Sequence, residues 1–284
     1  MTYSLNLKDD KPYFIGEIGI NHNGDIQLAK KLIDAVNACG WDCAKFQKRN
    51  PDICVPDHQK NIPRDTPWGK MSYIDYKHRI EFQKKEYDYI DQYAKEKPID
   101  WSASAWDLDS LKFICNYDIP FVKIASASIT NLELLTEAAK SGLDVIMSTG
   151  MSTLEEVDTA VETIIKNGKK PIIMHTNSSY PSPKEEINLR LIPFYKNRYD
   201  CIIGYSGHEQ DLEPTVIAVA LGARVIERHI TLSHAMWGTD QKSSLEVHAM
   251  DMLRKRCEDV EVFLGGNNKA VTPSEIKVRE KLRR

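Results

Sequence analysis

At 284 residues the chain is long enough for one large core, and a formal net charge of −3 shows no excess that would favour nucleic acid or an anionic membrane surface. Any anion site must therefore be built locally. The six cysteines, at 39, 43, 54, 115, 201 and 257, form no CxxC pair and read as reduced interior residues of a cytoplasmic protein. The N-terminal "MTYSLNLKDDKPYFIGEIG" has no signal-peptide succession, and no apolar run is long enough to span a bilayer.

In chain order, short β-rich runs alternate with longer runs of helical spacing. "PYFIGEIGI" (12–20) predicts a strand. It leads through "NHNG" (21–24), where Gly24 suits a special dihedral, into a helix that closes on Gly40. "CAKFQ" (43–47) is the second strand and 81–97 the second helix, with a long insertion, 48–80, between them. "DWSASAW" (100–106) precedes a helix over about 107–116. "FVKIAS" (121–126) precedes "NLELLTEAAKSG", capped by Asn131. "DVIMSTG" (144–150) precedes "STLEEVDTAVETIIKNG", where Ser152 and Glu155 predict a capping box. "PIIMHTNSS" (171–179), "CIIGYSG" (201–207) and "RVIERHI" (224–230) each precede a helix, near 188–198, 211–221 and 246–264.

Eight such units in a chain of this length predict a single-domain (β/α)8 TIM barrel over 1–284, whose active site lies at the C-terminal ends of the strands. Those ends carry Glu17 and Asn21, Lys45 and Gln47, Ser102 and Ser104, Lys123 and Ser126, Ser148 and Thr149, His175 through Ser178, Ser206 and His208, then Glu227 and His229. The 48–80 insertion leaves from the same face and reads as a lid or substrate wall.

Two lysines with hydroxyls from neighbouring strands suit a phosphate or carboxylate. Two histidines on strands seven and eight, with Asp240 in the next loop, suit a divalent metal held by neutral imidazoles and one carboxylate. Plainer roles stand beside these. A strand-end histidine ordinarily makes a structural hydrogen bond, and a barrel lysine can neutralise a carboxylate such as Glu17. His175 reads as core or site. Tyr180-Pro181-Ser182-Pro183 reads as a rigid loop, the basic tail "KVREKLRR" as a solvated helix end, and the tryptophans as packing, with Trp106 and Trp237 on active-face loops.

The segments "GEIGINHNGD", "AKFQ", "VKIAS", "STGMSTLEE", "HTNSSYPSP", "NLR", "GYSGHE" and "LGARVIERHITL", in order between Tyr13 and Glu246, closely resemble the sialic acid (N-acetylneuraminate) synthase family. The resemblance implies a cytoplasmic transferase, a homo-oligomer that condenses phosphoenolpyruvate with an open-chain aldose or amino sugar to give a nonulosonic or related 3-deoxy-2-ulosonic acid and phosphate. It implies a divalent metal, Mn2+ in the first place with Mg2+ or Co2+ as alternatives, on His208 and His229. Lys45 and Lys123 match the lysines on phosphoenolpyruvate, helped by Ser126, Ser148 and Ser178. Glu17 and Asp240 match catalytic acidic residues near the reacting groups, and Ser104, Tyr180 and Ser206 complete the substrate wall.

The chain departs from the family in places. It has Ser206-Gly207-His208 where Ser-Asp-His is common, Ser104-Ala105 where Thr-Pro is common, and Ser128 where an acidic residue is expected. The family's C-terminal antifreeze-like domain does not follow the eighth helix, so the resemblance implies that barrel loops recognise the far end of the acceptor. Two rival readings are a Schiff-base aldolase using Lys123 or Lys45 and a non-catalytic binding barrel.

Overall fold

The computed structural model describes Leu5, Leu7 and residues 11–283. Residues 1–4, 6 and 8–10, on which part of the signal-peptide reading rests, and Arg284 of the basic tail lie outside the described residues.

Eight parallel strands form the barrel: β1 (Tyr13–Gly19), β2 (Cys43–Lys48), β3 (Asp100–Ala105), β4 (Phe121–Ile124), β5 (Asp144–Ser148), β6 (Ile172–Thr176), β7 (Ile202–Gly207) and β8 (Val225–Thr231). They pair in sequence order, and β1 pairs with β8 from Tyr13↔Val225 to Glu17↔His229, which closes the sheet. Helices cover the outside and side chains fill the inside, so both faces of each strand are buried, as the apolar runs require.

Side chains alternate along a strand with a period of two, and this period divides the lumen into layers. Tyr13, Ile15, Cys43, Phe121, Ile146, Ile172, Met174 and Val225 pack with Leu5 into an apolar plug, separate from the larger core between strands and helices. Fully burying one such aliphatic or aromatic side chain contributes about 1.5–3 kcal/mol. Two residues onward on the same faces stand Glu17, Lys45, Lys123, Ser148, Thr176 and Glu227, and all six line one cavity at the C-terminal mouth. The change from plug to site is thus one step of the β period.

The helices follow their sequence signals closely. Asn131 caps Leu132–Lys140 by accepting from Leu134 N, and the first helix, Ile26–Ala38, ends just before Gly40, whose φ is +67°. The expected Ser152–Glu155 capping box is corrected by one residue: Thr153 caps Leu154–Asn167 and Glu156 answers it. Ser152 is otherwise engaged, since its hydroxyl donates to Gly150 O at 3.2 Å. Cys39, Cys43, Cys201 and Cys257 are buried thiols, but Cys115 is exposed, contrary to its expected place in the interior.

The insertion is folded. It holds two single-turn helices (Pro51–Cys54, Asp57–Lys60), an antiparallel hairpin (Pro63–Thr66 with Gly69–Ser72) and a helix, Tyr73–Ile80, that buries Tyr76, Lys77 and Ile80. Gly24 ties it to the barrel. At φ +72° a Cβ there would lie 2.7 Å from Arg79 O, so the turn after β1 and the end of the insertion helix fit only without one. At the other end of the chain, the helix Pro273–Leu282 is exposed throughout. Among the described residues no helix is long and apolar enough to cross a membrane.

Candidate active site

The cavity at the barrel mouth measures about 170 Å³. Glu17, Lys45, Ser104, Lys123, Ser126, Ser148, Ser178, Tyr180, Ser206, His208 and His229 all line it. Of the residues to which the family resemblance gives a catalytic, substrate or metal role, Asp240 alone stands outside its wall; the strand-end residues Asn21, Ser102, Thr149, His175 and Asn177 do not line it either.

The floor is a buried charge network. Lys45 Nζ lies 2.5 Å from Glu17 Oε2 and donates to Ser104 Oγ at 2.8 Å. Lys123 Nζ donates to Ser148 Oγ at 2.6 Å. Glu227 stands between the lysines, with Oε2 3.7 Å from Lys45 and Oε1 3.8 Å from Lys123, and Ser206 Oγ donates to it at 3.3 Å. Burial works to lower the pKa of Lys45, but the Glu17 and Glu227 carboxylates outweigh it and hold the ammonium above its ordinary value. Burial prevails at Lys123. Opposed by Glu227 and aided by the neighbouring Lys45 charge, it brings that pKa down to about 8. Burial would raise the Glu227 carboxyl, but the two lysines hold it below the usual carboxylate range.

Above the floor sit the two histidines. His208 Nδ1 donates to Asn177 O at 2.5 Å, which leaves Nε2 as the lone-pair nitrogen. Burial, with His229 beside it, pushes its pKa down to about 3, so the ring is neutral. The Tyr180 hydroxyl, kept protonated by burial and the surrounding carboxylates, donates to His208 Nε2 at 2.8 Å and stands 3.4 Å from His229 Nε2. Both Nε2 atoms thus converge on one oxygen. The expected carboxylate does not join them. Asp240 Oδ2 lies 3.9 Å from His229 Nδ1, on the other side of that ring, and too far for a hydrogen bond. Among the described residues no three His, Cys, Asp or Glu side chains come together as a metal site. The donor set fits a divalent ion held by the two imidazole Nε2 atoms, with its remaining positions left to water and substrate oxygens.

Sequence reasoning names several residues at the active face without giving them a role. Glu227 was placed at a strand end and given no role, although it links the two lysines; the period of two from Val225 would have marked it. Gln47, Trp106 and Thr176 also line the cavity. Gly150 donates its N–H to Ser126 Oγ at 3.1 Å, and a Cβ there would collide with Ser178 Oγ, so the chain passes the anion hydroxyls with bare backbone. His175 belongs to neither expected class alone: Nε2 meets Ile187 O at 2.6 Å, and the ring borders a separate, neighbouring cavity.

The chain and its architecture have close counterparts. The chain is 38% identical over 250 residues to the N-acetylneuraminate-9-phosphate synthase of Drosophila melanogaster, covering 86% of this chain and 66% of that protein. It is 34% identical over 272 residues to the N,N'-diacetyllegionaminic acid synthase of Campylobacter jejuni, covering 94% of this chain and 81% of the relative. A crystal structure of the N-acetylneuraminic acid synthetase from Leptospira borgpetersenii, in complex with citrate, superposes with a TM-score of 0.84 at 32% identity, over 96% of this chain and 93% of that one. The NeuB family model matches residues 32–269. This chain belongs to the NeuB family.

Proposed function

We propose that this chain is a phosphoenolpyruvate-dependent sugar acid synthase: it joins phosphoenolpyruvate, an open-chain aldose or amino sugar, and water into a nonulosonic or related 3-deoxy-2-ulosonic acid and inorganic phosphate. The observation that carries this reading is the Lys45–Glu227–Lys123 group on the cavity floor beside two imidazoles, His208 and His229, whose Nε2 atoms converge. The names of the relatives support the substrate class. The proposal takes the whole chain as one synthase barrel, a homo-oligomer of the cytoplasm.

Lys45 and Lys123 neutralise the phosphate and carboxylate of phosphoenolpyruvate, and Ser104, Ser126, Ser148 and Ser178 donate to its oxygens. C3 of phosphoenolpyruvate bonds to the aldehyde carbon, and the aldehyde oxygen takes a proton to become a hydroxyl. Water adds at C2, and the C2–O bond to phosphorus then breaks to release phosphate. Glu17 and Glu227, on the cavity floor, serve as acceptors for the water's proton, and the Tyr180 hydroxyl serves as a donor. His208 and His229 would hold a divalent metal, Mn2+, Mg2+ or Co2+, which when bound polarises the aldehyde oxygen. Asp240 faces the Nδ1 side of the His229 ring at 3.9 Å, without a hydrogen bond to it.

The test is phosphate release from phosphoenolpyruvate across a panel of aldoses, N-acetylmannosamine and its 6-phosphate included, with product mass and each metal in turn. Release that requires both substrates is expected. No acceptor-dependent release with any metal would sink the reading. The lowered pKa of Lys123 favours one alternative, a Schiff-base aldolase. Borohydride trapping of a substrate on Lys123 would select that chemistry instead.

A further inference from the structure

A second group of cations stands beyond the cavity floor, on the wall built by β2 and the insertion. Arg49 is 8% exposed, and its guanidinium stacks on Trp106 at 4.3 Å and donates to Gln47 Oε1. Trp106 and Gln47 line the inner cavity; Arg49, Arg64 and Lys77 do not. Lys77 is 7% exposed, with Nζ 5.2 Å from the Tyr73 ring, and Arg64 stacks on that same ring at 4.3 Å. Burial, with the charges of Arg49 and Arg64, holds the Lys77 ammonium down to about 8, against the pull of Asp240.

These cations lack anions. Among the described residues no carboxylate lies within 4 Å of the Arg64 or Lys77 charges, and the one nearest Arg49, Glu81 at 4.0 Å, is held by Lys48 at 2.7 Å. Three buried donors in the same place have no partner: Arg49 Nε, Trp106 Nε1 and the Tyr76 hydroxyl. Ring stacking and the C-terminal end of the Tyr73–Ile80 helix account for each cation singly. They do not account for three cations and three unpaired donors gathered together, an arrangement that is repulsive and unsatisfied without an anion.

We propose that Arg49, Arg64 and Lys77 form a second anion subsite that takes the terminal phosphate monoester of an open-chain sugar acceptor whose aldehyde end lies at the histidine pair. This rests on the reading of the inner site given above. A phosphate monoester, with about two negative charges and three strong acceptor oxygens, matches the set better than a carboxylate with one charge and two oxygens. One line of contact and one electrostatic influence join the subsite to the inner site. Arg49 reaches it through Trp106 and Gln47, and Lys77 feels Asp240, which lies beside His229.

The test uses sorbitol 6-phosphate, an open-chain phosphate with no aldehyde, titrated against the whole protein by tryptophan fluorescence, since Trp106 lies under Arg49. It is expected to bind at least tenfold more tightly than sorbitol or gluconate, without displacement by phosphoenolpyruvate. Arg64→Gln and Lys77→Gln are each expected to weaken it about tenfold while changing phosphoenolpyruvate affinity less than twofold. Arg64 is half-exposed, so that variant keeps the test open where Lys77→Gln does not fold. Equal binding of sorbitol and its phosphate, a preference for gluconate, or displacement by phosphoenolpyruvate overturns the subsite. No turnover is needed, so failure of the synthase reading would appear separately, in the phosphate-release assay.

Discussion

Glu17 and Lys45 are register partners on β1 and β2 and close a 2.5 Å ion pair at the barrel mouth, with side chains 2% and 1% exposed. The lysine that would meet an incoming anion is therefore also the counter-ion of a buried carboxylate. Binding and stability are coupled through one side chain, and truncating it affects both.

Lys45→Met is expected to lower stability by about 3–5 kcal/mol, because removing one partner leaves Glu17 buried without its nearest cation. Adding Glu17→Gln to the same chain should recover at least half of that loss, since the orphaned charge goes with it. Urea denaturation of the two variants decides the point. A Lys45→Met protein as stable as the parent would show that Glu17 does not depend on the pair.

Lys123, with its pKa near 8, gives phosphoenolpyruvate binding an alkaline limb. The ammonium attracts the anion only when protonated, so affinity is fullest below about pH 8 and declines as pH rises through it. The phosphate's own second ionisation, near pH 6, is complete by then and adds nothing. KM for phosphoenolpyruvate should rise between pH 7 and 9.5 in the parent and stay flat in Lys123→Arg, whose guanidinium remains charged. A flat parent profile contradicts this.

The Tyr180 hydroxyl occupies the point where the two histidine Nε2 atoms meet. A metal at that point must displace it, at the cost of a hydrogen bond of about 1 kcal/mol. Tyr180→Phe is therefore expected to bind Mn2+ as tightly as the parent or up to about fivefold more tightly, while His208→Ala loses most of the affinity. Titration of free Mn2+ by electron paramagnetic resonance measures both. Tenfold weaker binding in Tyr180→Phe would make the phenol a ligand instead of a competitor.

Buried imidazoles, His22, His208 and His175, whose pKa values burial lowers, make the fold acid-sensitive. His22 stacks on Phe82 with ring centroids 3.9 Å apart and accepts from Gly24 N at 3.0 Å; burial, then the Arg49 charge, puts its pKa at about 3, as burial does for His208. The unfolded chain protonates His22 and His208 near pH 6.5 and the folded chain does not, so stability falls as pH drops from 6.5 toward 3. Each group contributes up to about 1.4 kcal/mol per pH unit. His22→Gln, which keeps an acceptor but cannot titrate, should reduce the slope between pH 6 and 4.5 by up to about 1.4 kcal/mol per pH unit in denaturation curves. An unchanged slope would mean that His22 is protonated in the fold.

The barrel was legible because its signals are local. A period of two bounded by turn residues marks a strand, and eight strand–helix alternations leave few ways to bury both sheet faces. The strand-end residues could be named from the same pattern, and most of them, from Glu17 and Lys45 to Glu227 and His229, meet in one cavity, whereas Asn21, Ser102, Thr149, His175 and Asn177 and the loop residue Asp240 do not. The insertion was not legible as structure. Its helices are a turn or two long and its hairpin strands four residues each, too short for periodicity to register.

Sequence by itself determined which side chains would stand at the mouth of the barrel, because alternation along each strand assigns every second residue to the lumen. Only the tertiary structure decided what those side chains do to one another. Glu227 lies between two lysines from strands far apart in the chain, Asp240 falls on the Nδ1 side of His229, and Arg49, Arg64 and Lys77 converge across the insertion. Charge coupling depends on distance and burial, and residues tens or hundreds of positions apart acquire both only when the sheet closes.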